Sequence, residues 1–253
     1  MPNLFDNTTN TQGVIVYGGE SSSGYGMVVA EAPAYERPKR KETIYTVPGR
    51  NGVILFQDDA WEDVPRNYKV WLAEDANDTL VEKVDAFEAW INSKKGYTRL
   101  EDNFEPDVYR MAYYSGGDGF SNNLTQYGEA TLNFTCRPER FLKSGETPIT
   151  RSGSSSIIIV PLSNPTKYAS KPIIHIEANN QTVTLVLNGK LIRADVTDYI
   201  NIDCERMDAY RLEAENRNSS IFGEFPTIPP GNSTATFSGD FSSVTIIPRY
   251  FTI

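Results

Sequence analysis

The sequence predicts a mainly β chain (a β-rich α+β fold), with one packed helix in its first domain and an almost purely β second domain. Two observations support this class. Short runs of alternating apolar residues dominate the chain and are separated by Gly, Pro and Asn, as in strands joined by turns. A single segment, residues 79–95, has the three- to four-residue apolar spacing of an amphipathic helix. We find no short internal repeat, which argues against a solenoid or a propeller.

The predicted strands are short and spread along the whole chain. They cover residues 13–17, 44–47, 53–56, 69–72, 109–114, 130–136, 173–177, 183–187 and 244–247. The clearest hairpin joins residues 183–187 to residues 190–193 through Asn188-Gly189. Asn and Gly tolerate the positive φ angles of a two-residue turn, so this pair predicts a tight hairpin.

The predicted helix has recognisable signals at both ends. Thr79 and Glu82 form a capping-box pattern at its start, and Lys94, Lys95 and Gly96 suit its end. Its apolar stripe consists of Leu80, Val84, Phe87 and Ile91. The charged residues assigned to the opposite face are Glu82, Lys83, Asp85 and Glu88. A single stripe predicts that the helix packs across a sheet.

A change of composition after Phe141 divides the chain. Residues 143–156 are polar and rich in Ser and Gly, and we interpret them as a linker between a first domain, 1–142, and a second domain, 157–253. Residues 1–142 contain 14 basic and 22 acidic residues, whereas residues 143–253 contain 10 and 11, so almost all of the net charge of -9 lies in the first domain. Because an acidic surface repels phosphate, we expect no sequence-specific binding to nucleic acid.

Cysteine usage and hydropathy favour a protein folded in a cytoplasm. Cys136 and Cys204 lie in predicted strands and are interpreted as two small buried hydrophobic residues rather than a disulfide. The longest apolar run, residues 157–162, is far too short to cross a bilayer, so no membrane insertion is expected. No basic and then apolar export segment follows Met1.

The sequence shows no catalytic constellation, and we expect no enzyme activity, cofactor or metal. His175, the single histidine, lies in a predicted strand, where a hydrogen-bonded structural histidine is the favoured interpretation. Two acidic clusters could in principle serve a glycosidase, which needs two carboxyls at a set separation, but turn residues surround them and solvated loops are expected. The clusters are Asp58, Asp59, Glu62 and Asp63, and Glu101, Asp102, Glu105 and Asp107.

Carbohydrate binding is the alternative function that stays open, because β-sandwiches can bind sugars on a sheet face with stacked aromatic rings. All three tryptophans lie before the linker. The second domain would therefore use Tyr168, Tyr199 and Tyr210 for weak glycan contacts. A carbohydrate-active enzyme that uses the acidic clusters is a third, weaker alternative.

One turn is singled out as a structural element and an oligomer interface. The segment Pro48-Gly49-Arg50-Asn51-Gly52 precedes an apolar strand and predicts a sharp turn, in which Gly49 and Gly52 supply unusual backbone angles. Arg50 is expected to fix the turn by bonding to carbonyl groups or to an acidic neighbour.

A succession of motifs covers nearly the whole chain in a recognisable order. In the first domain they are residues 48–52, the capped helix that ends at Gly96, and residues 99–102, 109–114 and 132–138. In the second domain they are residues 164–165, 171–174, 202–205, 223–226 and 230–232 and the final strand. In order and spacing these motifs resemble the distal tail proteins (Dit) of long-tailed bacteriophages, the hub proteins of siphophage tail tips.

The resemblance implies both an architecture and a function. It implies an N-terminal ring-forming (belt) domain followed by a galectin-like β-sandwich. Six copies would form a hub that joins the tail tube protein to the tail-tip or tail-fibre (Tal-like) protein and the host-adsorption apparatus, with a central channel for DNA. The protein would then be assembled in the host cytoplasm and would reside in the virion at the tail tip, as part of a baseplate.

Overall fold

The computed structural model describes residues 13–75, 77–123, 127–153, 157–212 and 215–253. They form a mainly β chain with one α-helix among the described residues, which confirms the predicted fold class. The chain divides into two compact units, the first ending at Arg140 and the second comprising residues 141–252. The segment 1–12, whose Asn- and Thr-rich sequence belongs to the predicted first domain, lies outside the described residues.

The first unit contains a curled antiparallel sheet, a separate hairpin and the helix. Its elements are β1 (Ile15–Tyr17), β2 (Glu20–Ser21), a 3-10 helix (Ser22–Tyr25), β3 (Met27–Val29), β4 (Arg40–Thr46), β5 (Val53–Trp61), β6 (Val64–Ala73), α1 (Leu80–Ser93), β7 (Thr98–Asp102), β8 (Val108–Gly117), β9 (Ser121–Asn123) and β10 (Tyr127–Leu142). The main sheet has the strand order β2-β1-β7-β8-β10-β6-β3, with β9 pairing to β10. Strands β4 and β5 pair with each other in a two-stranded sheet.

The helix begins as its sequence predicts. Thr79 is the N-cap, and its side chain and that of Glu82 form the reciprocal hydrogen bonds of a capping box. Buried Phe87, Trp90 and Ile91 pack with the inward side chains of the sheet into one core. The Trp90 indole also donates a hydrogen bond to the carbonyl oxygen of Tyr17, at 3.3 Å.

Lys83 does not lie on the solvated face of the helix to which its charge assigned it. Its side chain is only 9% exposed, and its ammonium donates to the Ala73 carbonyl at 2.9 Å and to the Asp75 carboxylate at 2.6 Å. The long alkyl stem of lysine can cross apolar surface while its charged end finds a partner. The helical spacing of the apolar residues predicted which face of the helix is buried. It could not predict that Lys83 pairs with Asp75 in the preceding loop.

An ion cluster is buried at the end of β7, where the sequence predicted a solvated acidic loop. Asp102 accepts hydrogen bonds at 2.7 Å from both Arg66 and the Tyr68 hydroxyl. Glu105 forms further ion pairs with Arg66 at 3.0 Å and with Arg110 at 2.5 Å. The prediction was wrong for Asp102 and Glu105, because Arg66, which is distant in sequence, and Arg110 compensate the cost of burying the carboxylates.

The second unit is a β-sandwich of two antiparallel sheets. Its elements are a 3-10 helix (Lys143–Glu146), β11 (Ile149–Ser152), β12 (Ile158–Asn164), β13 (Ile173–Glu177), β14 (Gln181–Leu187), β15 (Lys190–Val196), β16 (Tyr199–Asp203), β17 (Asp208–Arg211), β18 (Glu215–Asn216), a 3-10 helix (Asn218–Ser220), β19 (Ile221–Gly223), β20 (Gly231–Ser238), β21 (Ser243–Ile247) and β22 (Phe251–Thr252). The six-stranded sheet has the order β11-β21-β13-β16-β17-β18, and the five-stranded sheet the order β12-β20-β14-β15-β19.

One apolar core joins the two sheets of the sandwich. Alternate residues of each strand face inward, so that Ile174, Ile176 and Ile202 of one sheet pack with Leu185 and Phe237 of the other. The tight turn at Asn188-Gly189 is confirmed: both residues have positive φ angles, 51° and 72°, and the pairing runs up to Leu187 and Lys190.

Both cysteines are buried and free, as predicted. Burial raises the pKa of the Cys136 thiol to about 11 and that of Cys204 to about 12. The thiols are therefore protonated at neutral pH, and they act in the structure as small apolar side chains.

Part of the segment interpreted as a linker has regular structure. Within residues 143–156, Ile149–Ser152 form β11, which pairs in register with β21 at the edge of the six-stranded sheet. The Ser- and Gly-rich composition indicated a loop, but a strand on a sheet edge needs few apolar side chains when a distant partner supplies its hydrogen bonds. Residues 154–156 lie outside the described residues.

Candidate assembly surface

The hairpin formed by β4, β5 and their turn is the most unusual surface of the first unit, and we call residues 40–61 the arm. Its two strands pair from Thr46↔Val53 at the tip to Arg40↔Trp61 at the root, with an irregularity between Arg40 and Glu42. Because the described strands β4 and β5 pair only with each other, each leaves one backbone edge unpaired.

Apolar side chains are exposed on both faces of the arm. On one face the rings of Tyr45 and Phe56 meet edge to face, with centroids 5.7 Å apart. On the other face lie Ile44, Leu55 and Val53, which alternate with them along the strands. Ile44 is 55% and Phe56 59% exposed, although both have the residue types of a buried strand.

This exposure calls for a cover that the described part of the chain does not supply. A two-stranded hairpin is at best marginally stable alone in water, and large contiguous apolar patches on soluble proteins mark interaction sites. Covering a half-exposed Leu or Phe contributes about 1 kcal/mol per side chain. Since both faces are apolar, we expect other protein surfaces to pack against the arm on both sides.

The turn at the tip lies at Pro48–Gly52, the segment that the sequence singled out. The Arg50 amide donates to the Val47 carbonyl at 3.2 Å, which closes a β-turn around Pro48 and Gly49. Gly49 has φ 78°, and Pro followed by a Gly of positive φ is the pattern of a type II turn. Gly52 has φ 79°. The Arg50 side chain makes no hydrogen bond or ion pair among the described residues, so here the turn is closed by backbone atoms and not by the guanidinium.

The root of the arm carries opposite charges on its two strands. Basic residues precede and begin β4, and acidic residues end β5 and follow it. They are Arg37, Lys39, Arg40 and Lys41 on one side, and Asp58, Asp59, Glu62 and Asp63 on the other. Arg40 joins the two sides, since its guanidinium lies 3.4 Å from Asp59 and 4.9 Å from the centroid of the Trp61 ring.

The three tyrosines predicted to contact glycans do not lie together. Tyr199 and Tyr210 lie on neighbouring strands β16 and β17 of the six-stranded sheet. Tyr168 lies in the loop between β12 and β13, where its ring stacks on Phe251 with centroids 5.7 Å apart.

The sequence predicted the turn of the arm and parts of both its strands, residues 44–47 and 53–56, but not that the hairpin stands apart from the main sheet. The four consecutive apolar residues of 53–56 were predicted as a strand, but their exposure was not predicted. The sequence did contain one signal of this exposure. Residues 53–56 do not alternate between apolar and polar, and a strand that is apolar on both faces needs a covering layer on each face.

The described residues contain neither a group of side chains suited to bind a metal ion nor a helix that is both long and apolar enough to cross a membrane. His175, the remaining candidate for chemistry, is held on β13 by the Asn201 side chain at 2.8 Å.

Comparisons with known proteins give the fold a context. Residues 29–136, which include the whole arm, match the family model described as phage tail protein RIFT-related domain. The distal tail protein (Dit) of phage SPP1, described as a paradigm of the hub adsorption apparatus in phages that infect Gram-positive bacteria, aligns with a TM-score of 0.67 at 13% identity, over 95% of this chain and 99% of its own. A chain of the phage P2 baseplate aligns with a TM-score of 0.53 at 11% identity, over 93% and 97% of the two chains. No curated protein sequence matches.

At these identities the structural matches establish the fold alone, and the match to the family model, found independently, covers the arm and the strands that follow it. The resemblance seen in the sequence is thereby confirmed: the chain shares the fold of the SPP1 distal tail protein, and its residues 29–136 match the model of the phage tail protein RIFT-related domain.

Proposed function

We propose that this protein is a structural component of a phage virion, a distal tail hub in which six copies form a ring between the tail tube and the tail tip. The observation that carries the proposal is the arm, whose two apolar faces and two unpaired edges are not covered by the described part of its own chain. The fold, shared with the hub protein of phage SPP1, supports the same function.

A ring requires a head-to-tail contact, in which two different surfaces of one chain meet in neighbouring copies. The arm offers such a pair, because four basic residues outnumber Glu36 and Glu42 at the root of its β4 side, whereas its β5 side is acidic. In the assembly, β4 of one copy lies beside β5 of the next, and opposite charges face each other across the contact. Charge pairing of this kind fixes the register and excludes the like-charged arrangement of two β4 edges.

The ring would leave a central channel through which DNA passes without adhering. Residues 1–142 contain 22 acidic and only 14 basic residues, which supports this role. DNA phosphates would meet few Lys or Arg side chains that could displace their counterions. The docking partners of the hub are the tail tube protein on one side and a tail-tip or tail-fibre protein on the other. The function needs no catalytic residue, cofactor or metal.

Native mass spectrometry with negative-stain imaging of the full chain tests the proposal. We expect a species of six protomer masses that appears as rings with a central hole. Leu55→Asp, which places a charge on one face of the arm, is expected to reduce this species to single protomers. Val81→Asp is the matched control, because Val81 is an equally apolar and 66% exposed residue of α1, outside the arm. Single protomers of wild-type protein at every concentration, or rings formed equally well by Leu55→Asp, would contradict the proposal.

A further inference from the structure

The outer face of the six-stranded sheet carries a continuous band of polar side chains. His175, Asn201 and Tyr210 are direct neighbours across β13, β16 and β17, and Thr245 of β21 continues the row beyond His175. Ile174, Ile200 and Ala209, which precede them on these strands, are buried in the core, so the polar residues face outward. We call this row, together with Glu177 and Tyr199 beside it, the polar face.

Hydrogen bonds hold the centre of the polar face in one arrangement. His175 Nδ1 lies 2.8 Å from Asn201 Oδ1, and Glu177 accepts from the Ser243 hydroxyl at 2.8 Å. Because the Asn201 oxygen must accept from a ring N–H, its amide nitrogen points away from the histidine with both protons available. Among the described residues neither this nitrogen nor the Tyr210 hydroxyl has a hydrogen-bond partner.

Aromatic surface lies beside these donors. The Tyr199 ring is partly exposed, with the His175 ring 5.5 Å from it on one side and the Arg211 guanidinium 5.5 Å from its centroid. The Arg211 Nε atom is buried without a partner among the described residues, although the rest of the guanidinium pairs with Asp198 at 2.5 Å. Hydrogen-bond donors, hydrogen-bond acceptors and an aromatic ring therefore lie side by side on three neighbouring strands, which span two strand spacings, roughly 10 Å.

The chemistry of the polar face excludes most classes of ligand. A protein partner would need apolar anchors, and these lie instead on the outer face of the five-stranded sheet, where Ile159, Val186 and Leu191 are exposed. A nucleic acid would need unpaired cations, whereas Arg211 is neutralised by Asp198 and the chain is acidic overall. An uncharged polyhydroxyl ligand fits, because each sugar hydroxyl both donates and accepts and the apolar side of a sugar ring packs on an aromatic ring.

We propose that the polar face is a binding site for a neutral oligosaccharide that runs across the strands from His175 to Tyr210. This site goes beyond the hub function and does not depend on it, since no residue of the arm takes part. Asn201 and Tyr210 donate to sugar hydroxyls, Glu177 accepts from them, and the Tyr199 ring packs against a sugar ring. Six copies in a ring would multiply weak single contacts into a firm attachment.

Binding of the full chain to an array of neutral and charged glycans tests the site. We expect the wild-type protein to bind a group of neutral glycans, and Asn201→Ala to lower that binding about tenfold. Tyr210→Phe, which removes one hydroxyl without a described protein partner, should lower it several-fold without changing the melting temperature. Thr236→Ala, on the outer face of the other sheet, is the control and should bind as the wild-type protein does.

Three results would overturn the site. They are no binding to any neutral glycan, undiminished binding by both Asn201→Ala and Tyr210→Phe, and equal loss of binding by Thr236→Ala. Ring formation by Asn201→Ala, followed by native mass spectrometry, separates this outcome from a failure of the hub proposal, because the arm is untouched in that variant.

Discussion

Arg249 holds both carboxylate oxygens of Asp203, with Nη1 2.8 Å from Oδ1 and Nη2 3.0 Å from Oδ2. Asp203 ends β16, and its Oδ1 also accepts the backbone amides of Glu205 and Arg206. Asp102 does the same in the first unit: it ends β7, accepts the amides of residues two and three positions later, and binds a buried arginine. In each unit, therefore, one buried carboxylate binds both the backbone amides of the turn that follows it and an arginine from a distant part of the chain.

We expect the two buried carboxylates to make the stability of the protein depend on acid pH. Burial alone would raise the pKa of Asp203, but hydrogen bonds from Arg249 and from the backbone outweigh it, so its pKa lies below the ordinary value. The pKa of Asp102 is lowered in the same way against its burial, chiefly by the charge of Arg66 and the Tyr68 hydrogen bond. A carboxyl with a depressed folded pKa contributes stability that is present above its unfolded pKa, about 3.9, and is lost as the pH falls through the folded value.

We therefore expect the free energy of unfolding to be constant from neutral pH to about pH 5 and to fall steeply below pH 4. Urea unfolding at a series of pH values measures it. Asp203→Asn should cost about 1–3 kcal/mol at pH 7, because it removes the carboxylate that Arg249 binds through two nitrogens and leaves Glu205, 3.6 Å from the guanidinium, as a weaker charged partner, and it should flatten the acid limb. Asp240→Asn, at an exposed position of the same unit, should change neither. Stability that stays level down to pH 3 would show that the two carboxylates do not act in this way.

Two buried tyrosines provide a matched pair for testing the ion cluster. The Tyr68 hydroxyl donates to Asp102 at 2.7 Å and accepts from Arg66 at 3.1 Å, whereas the Tyr17 hydroxyl is buried without a partner among the described residues. Tyr68→Phe should lower the free energy of unfolding by about 1–3 kcal/mol, because it leaves charged groups with an unfilled hydrogen bond. Tyr17→Phe should leave it unchanged or raise it slightly. An equal decrease in the free energy of unfolding of the two variants would show that the Tyr68 hydroxyl does not stabilise the ion cluster.

The tip of the arm depends on the backbone freedom of Gly52. With φ 79°, a residue that carries a Cβ is strained there by about 1–2 kcal/mol, and the β-branched Val is among the least tolerant of this region. We expect Gly52→Val to distort the arm and to abolish ring formation on a calibrated size-exclusion column. Gly24→Val is the control, since Gly24 lacks a positive φ and an added Cβ would have open space around it. An unchanged elution volume for Gly52→Val would count against a role of the turn in assembly.

The proposed contact between arms can be tested by exchanging charges. Lys39→Glu with Lys41→Glu should place like charges opposite Asp58 and Asp59 of the neighbouring copy and lower ring formation at low salt. Adding Asp58→Lys and Asp59→Lys to the same chain should restore it. Native mass spectrometry of the double and the quadruple variants gives the result. Failure of the second pair to rescue the first would exclude a contact between the basic and the acidic side of adjacent arms.

The features that the sequence predicted depend on residues close together in the chain. The capping box of Thr79 and Glu82 and the turn at Asn188-Gly189 each need only a few neighbouring residues, and both are present. The features that it missed depend on distant partners. Asp102 is paired with Arg66, 36 positions earlier, and β11 exists because β21, more than ninety positions later, completes its hydrogen bonds. Lys83 is paired with Asp75, which lies in the loop before the helix and outside the helical pattern.

The candidate surfaces follow the same rule. Gly49 and Gly52 were enough to predict the turn of the arm. The exposure of Phe56, in contrast, depends on how the rest of the chain folds around it, and no local sequence pattern encodes that. Likewise, Tyr199 and Tyr210 could be named as tyrosines of the second domain, but their position beside Asn201 follows only from the register of β16 and β17.

The unpaired edges of the arm have a consequence for faulty assembly. A head-to-tail contact closes only if the rotation from one copy to the next divides a full circle, and otherwise it continues as an open helical filament. A substitution near the root that changes the direction of the arm by a few degrees would therefore be expected to produce long polymers rather than unassembled subunits. The hairpin that we propose to build the ring would therefore also be the site from which an altered copy polymerises without closing.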